Sequence, residues 1–185
     1  ALARPCRTPL ARPTAVRAAL GGRQHMAEGG PPILVKLLGL PEPTKMQAVV
    51  RTVGVDLQQW RKSPRRATSV LSGLARKRRA DVAELLLQFM RAMRVQVDNF
   101  HCTAVLNAHS KHSQWQLAVG LLGRMPEMEV VPDVVSFSAA ITACEKSGRW
   151  QLALSLLSSM PAARADPDVV SYNAVISACE KGGQW

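Results

Sequence analysis

Three carboxylates, Asp98, Asp133 and Asp168, stand 35 residues apart, and a small hydroxyl or amide, at Thr68, Thr103, Ser138 and Asn173, keeps the same interval. Three residues before each of these comes a flat or apolar side chain, Arg65, Phe100, Val135 and Val170, and eight residues after it a cation, Arg76, Lys111, Lys146 and Lys181. Each set holds the parts needed to grip a nucleotide. The flat or apolar group can lie against a base, the hydroxyl and the carboxylate can offer a donor and an acceptor to its polar edge, and the cation can meet a phosphate. Each part also has a plainer explanation. An aspartate before a helix is ordinarily an N-cap, a lysine near a helix C-terminus is favoured by the macrodipole, and Val135 and Val170 can complete a core. The ligand is favoured because all four columns recur together.

No other constellation competes. Of the clustered histidines His101, His109 and His112, His109 falls in the column of Cys144 and Cys179 and reads as a packed side chain. Cys6, Cys102, Cys144 and Cys179 form no CxxC pair and no disulfide-dense spacing, which suits a reducing compartment. No metal cluster, Ser/His/Asp arrangement or phosphate-cradling loop is written in the chain. The expectation is therefore a protein that is not an enzyme and needs neither metal nor cofactor.

The elements that carry these columns repeat with them. Met90, Met125 and Met160, and Ala83, Ala118 and Ala153, share the 35-residue period without a gap. Such a period marks a solenoid whose units bury their apolar faces by stacking on their neighbours. In residues 134–168, Phe137, Ala140, Ile141 and Cys144 form one helical stripe, and Trp150, Ala153, Leu154, Leu157 and Met160 form a second. Ser147 and Gly148 separate the two helices, and Pro161 and Pro167 flank the loop to the next unit. Each unit is thus a helical hairpin, with Ala153 and its equivalents where two helices approach closely. Offsets two, five and nine of the first helix share a face.

Composition sets the limits. The chain has 185 residues, 47% of them apolar, and no run of eighteen apolar residues that would read as a membrane span. Its net charge of +11 suggests a nucleic-acid partner, yet residues 99–185 hold six basic and seven acidic residues, so the excess lies before Asn99. Residues 1–27 contain five arginines and no acid, which suits either an organelle transit peptide or a basic leader, here bounded at 1–30. Residues 31–63 offer short helical patterns broken by Pro41, Pro43 and Gly54, an eroded repeat or a cap. Eight cations, Arg61, Lys62, Arg65, Arg66, Arg76, Lys77, Arg78 and Arg79, follow with no acid between Asp56 and Asp81, and suggest a phosphate-contacting patch. Units then run 64–98, degenerate at its start, 99–133, 134–168 and 169–185.

VVSYNAVISACEKGGQW from Val169 and VVSFSAAITACEKSGRWQLALSLLSSM from Val134 resemble pentatricopeptide repeats of the 35-residue type, and the resemblance covers Pro64 to Trp185. It implies an all-α fold, a right-handed superhelical solenoid of helical hairpins. It also implies a monomer that binds single-stranded RNA and acts in transcript processing, stability or translation in a chloroplast or mitochondrion, with the plastid favoured. In that family the fifth and last residues of a unit select one base, the second sandwiches it and the thirteenth approaches the backbone. Carried over, Thr68 with Asp98, Thr103 with Asp133 and Ser138 with Asp168 resemble guanine-preferring pairs. Arg65 and Phe100 depart from the usual aliphatic residue, although both can stack. The rival is a protein-binding tetratricopeptide solenoid. That family runs at 34 residues and wants small side chains where Leu106, Ile141 and Ile176 stand, and aromatic ones at His109, Cys144 and Cys179.

Overall fold

A computed structural model describes residues 31–54 and 56–183, and among them every regular element is helical. The leader at 1–30 lies outside the described residues. Three short helices come first, α1 (Pro32–Leu38), α2 (Met46–Val53) and α3 (Leu57–Lys62). Hairpins follow: α4 (Arg65–Arg76) with α5 (Ala80–Ala92), α6 (Asn99–Lys111) with α7 (Trp115–Arg124), and α8 (Val134–Lys146) with α9 (Trp150–Ser159), before α10 (Val169–Lys181).

The 35-residue period is visible in the turns. Between the helices of a hairpin the chain passes through a left-handed residue at Arg78, Ser113 and Gly148, and after each second helix through another at Arg94, Glu129 and Arg164. At each turn a later N–H returns to a carbonyl five residues back, as from Arg149 to Cys144 at 2.9 Å and from Ala165 to Met160 at 3.0 Å. This closure satisfies carbonyls that the helix end would leave open. It also folds the buried Met90, Met125 and Met160 under their own loops.

The first helices α4, α6, α8 and α10 make the most extensive contacts, each on the next, while the second helices touch one another far less. Small side chains allow this approach: Ala104, Ala108, Ala139, Ala143, Ala174 and Ala178 are all buried. Gly73 holds the equivalent place in α4, where an added methyl would stand 2.4 Å from a Leu34 methyl carbon of α1. The second-helix alanines Ala83, Ala118 and Ala153 are fully buried. Overpacking a well-filled core costs about 1–3 kcal/mol, so Ala118→Leu is expected to lower the unfolding free energy read from urea titration by that amount without changing the helical circular dichroism of the remaining folded fraction.

Two expectations about packing are corrected. Leu154, placed in the second apolar stripe, is 39% exposed. Its column, shared with Glu84 and Val119, faces the second helix of the following unit, and among the described residues α9 has none beside it. Ile176, on the last described helix, is 63% exposed, whereas Leu106 and Ile141 in its column are buried. The cluster of eight cations is also less available than its charge suggests. Arg79 reaches the Leu38 and Leu40 carbonyls, Thr44, Asp81 and Glu42, and so ties the α1–α2 loop to α5. Arg61 donates to the Met93 carbonyl, Arg78 to that of Lys111, and Arg66 to Gln59.

Candidate nucleic-acid interface

The closely packed first helices set one face of the molecule with side chains at regular intervals. At the second position Phe100 is 74% exposed, Val135 56% and Val170 59%, and Arg65 is exposed too. Large apolar groups in water at a fixed column are not core, which removes the plain explanation for Val135 and Val170. One turn on, Thr68 and Thr103 are half-buried and Asn173 is exposed. Ser138 departs from its column. It is 7% exposed, and its Oγ is covered with no hydrogen-bond partner among the described residues. Ser138 lies on α8, which packs extensively on α10. Ser138, expected to offer its hydroxyl to a base edge, is therefore covered by the fold.

The three aspartates start helices. Asp98, Asp133 and Asp168 each present extended backbone and accept the N–H three residues on, from His101 at 3.0 Å, Ser136 at 2.8 Å and Ser171 at 2.8 Å. These bonds use Oδ1 and leave Oδ2 of Asp98 and Asp133 without a hydrogen bond among the described residues. At Asp168 the N–H and then the hydroxyl of Ser171 hold the carboxyl below its usual range. Capping and base reading are therefore compatible, because each aspartate can cap with one oxygen and offer the other.

Residues that sequence reasoning passed over connect the two halves of each reading pair. His101 and Ser136, third residues of their units, are fully buried. His101 Nε2 lies 3.2 Å from Thr68 Oγ1, while the His101 N–H caps Asp98. Ser136 Oγ lies 3.2 Å from Thr103 Oγ1 and 2.9 Å from Asp133 Oδ1. The hydroxyl of one unit and the carboxylate at its end are thus joined through the next unit's first turn. Ser171 bonds Asp168 in the same way, but Ser138 Oγ makes no bond to it.

The thirteenth-residue cations end the first helices. Arg76 and Lys111 are exposed, and neither forms an ion pair among the described residues. Lys146 Nζ donates to the Ser110 carbonyl at 3.1 Å and forms no ion pair among the described residues. Lys181 pairs with Glu145 at 2.7 Å, and burial, which would raise the Glu145 carboxyl, is outweighed by its bonds to Lys181 and Ser177. Of the four cations expected to meet phosphates, Lys181 is thus the one held in an ion pair.

His109 is buried, as its column requires, but it is not a passive filler. It bridges Glu84 Oε2 at 2.7 Å and Gln114 at 3.0 Å, and Glu84 Oε1 takes a further bond from Arg124 at 3.0 Å. Among the described residues no three potential metal ligands come together, and no helix is long and apolar enough to cross a membrane.

A row of stacked helical hairpins carrying one polar set per unit along a single face defines a helical-repeat recognition scaffold. The chain belongs to the pentatricopeptide repeat family: the model of the PPR repeat family matches residues 132–181, the pentatricopeptide repeat domain matches 85–147, and the PPR repeat matches 67–95. Members of this family generally bind RNA and are typically non-catalytic scaffolds. No curated protein is similar enough to the chain to count as a match.

Proposed function

We propose that the chain is a sequence-selective binder of single-stranded RNA that performs no chemistry of its own and reads guanine-leaning sequence through successive units. The observation that carries this reading is the exposed column Phe100, Val135 and Val170, set one turn before the fifth-position residues, of which Thr103 is joined through Ser136 to the helix-capping Asp133. Neighbouring flat or apolar groups can sandwich a base, and stacking contributes about 1–3 kcal/mol per base. An ionised carboxylate beside it suits the N1–H and N2–H₂ donors of guanine. The organelle setting rests on the acid-free stretch 1–27 alone, and an import assay with a fluorescent fusion tests it.

The test is binding of a short guanine-containing RNA, measured by fluorescence anisotropy against the same RNA with uridines. Phe100→Ala is expected to weaken guanine RNA binding about tenfold or more while leaving stability unchanged, because the ring is mostly in water. With Lys181 held by Glu145, three cations of the column stand ready for phosphates, and the log–log salt dependence should have a slope of about −2. A flat salt response with retained binding to apolar peptides would instead favour a protein-interaction solenoid.

A further inference from the structure

The hydrogen bonds around Thr68 and Thr103 send their protons in opposite directions. His101 Nε2 lies 3.0 Å from the Pro64 carbonyl, which can only accept, so this nitrogen carries a proton. Thr68 Oγ1, 3.2 Å from the same nitrogen, faces that single N–H, which it can share with the Pro64 carbonyl as an acceptor but to which it cannot donate. Its own proton stays available to a ligand. In the next unit Ser136 has a single hydroxyl proton, and the Asp133 carboxylate at 2.9 Å draws it, since bonds to a charged acceptor are the stronger ones. Asn99 Oδ1, also at 2.9 Å, competes for that same proton and leads to the same result. Thr103 Oγ1, 3.2 Å from Ser136 Oγ, must then donate to it and turns only lone pairs toward a ligand.

We propose that His101 and Ser136, the third residues of their units, are positioning residues that set the hydrogen-bond polarity of the reading hydroxyl in the unit before, Thr68 and Thr103. Two Thr/Asp pairs that are alike in sequence then read different base edges. This rests on the RNA reading given above. Thr68 with Asp98 presents a donor beside an acceptor, which matches O6 and N1–H of guanine and is equally satisfied by inosine. Thr103 with Asp133 presents two acceptors, which need the adjacent N1–H and N2–H₂ of guanine. Inosine has no 2-amino group and would leave one acceptor unpaired in a half-buried site. A site built around a hydrogen bond rejects the analogue that lacks it.

The experiment uses the full chain and an adenine-flanked GGG RNA in which each guanine is replaced by inosine in turn, with affinity read by fluorescence anisotropy. One replacement should be tolerated within about twofold, and its neighbour should weaken binding about tenfold, the value of one lost hydrogen bond. His101→Ser places at that position the residue type that the next unit has there, and should make the tolerant position intolerant. Ser136→Ala removes the group that takes the Thr103 proton and should make the intolerant position tolerant. A role in stability alone would weaken guanine and inosine RNAs equally, so the ratio of the two affinities separates positioning from packing. Equal rejection of inosine at both positions, or an unchanged pattern in His101→Ser that still binds guanine RNA, overturns the proposal. Failure of the unaltered chain to prefer guanine at any position overturns the RNA reading itself, and this proposal with it.

Discussion

Replacing Glu84 by glutamine is expected to remove about 2 kcal/mol of stability at neutral pH, a loss that disappears on acidification. Burial alone would raise the Glu84 carboxyl, but hydrogen bonds from His109 and Arg124 outweigh it and hold the group at about 2, against an ordinary 4.5. That shift converts to about 3 kcal/mol, reduced here because the Arg124 side chain is 41% exposed and its attraction is screened. Folding lowers the carboxyl's pKa, so its contribution is complete above about pH 4.5 and falls away between there and pH 2. Urea unfolding of both chains across this window checks the result: the native curve should descend toward that of the variant. Glu84→Ala should cost more, about 3 kcal/mol, because His109 is left buried without its acceptor. The cluster joins α5 to α6 and α7, so the loss should appear as uncoupling of neighbouring units, read as a broader transition.

Asp133 offers the second large effect, and two substitutions divide it. Asp133→Ala removes the cap on α8 and the acceptor for a base together. It is expected to cost about 1 kcal/mol of stability and to abolish guanine preference at that unit. Asparagine caps a helix about as well as aspartate, so Asp133→Asn should leave the urea midpoint nearly in place. Its amide has no charge and carries both donors and an acceptor, so discrimination between guanine and other bases at that position should change by about 1–3 kcal/mol. A capping role alone predicts that binding follows stability through both variants. Loss of selectivity in Asp133→Asn with full stability requires a reading role.

The helical pairs were legible because their signal lies within single columns. Phe137, Ala140, Ile141 and Cys144 are all buried, and the turn at Ser147 and Gly148 falls between α8 and α9. The N-caps were legible as well, since an aspartate before a valine-rich helix has one obvious local task. What escaped were groups whose meaning lies between columns. Glu84 shares its position with Val119 and Leu154, and only the fold brings it to His109 and Arg124. Arg66, His101, Ser136 and Ser171 share the third position but not a residue type, so nothing in that column marks a common role. The burial of Ser138 was equally hidden, because it depends on how closely α10 settles on α8. Charge misled in a further way. The arginine-rich run before α5 reads as a surface for polyanions, yet Arg79 directs its hydrogen bonds to the α1–α2 loop and holds it in place.

The aspartate that ends each unit also begins the next helix, and this confines what a change of specificity can look like. Only side chains able to open a helix, chiefly aspartate, asparagine, serine and threonine, can occupy that junction without loosening the stack. The vocabulary of recognition at this column is therefore weighted by folding toward a few short polar words, before any ligand is consulted. A chain built this way can be re-spelled one unit at a time, provided each new letter is also a legal beginning.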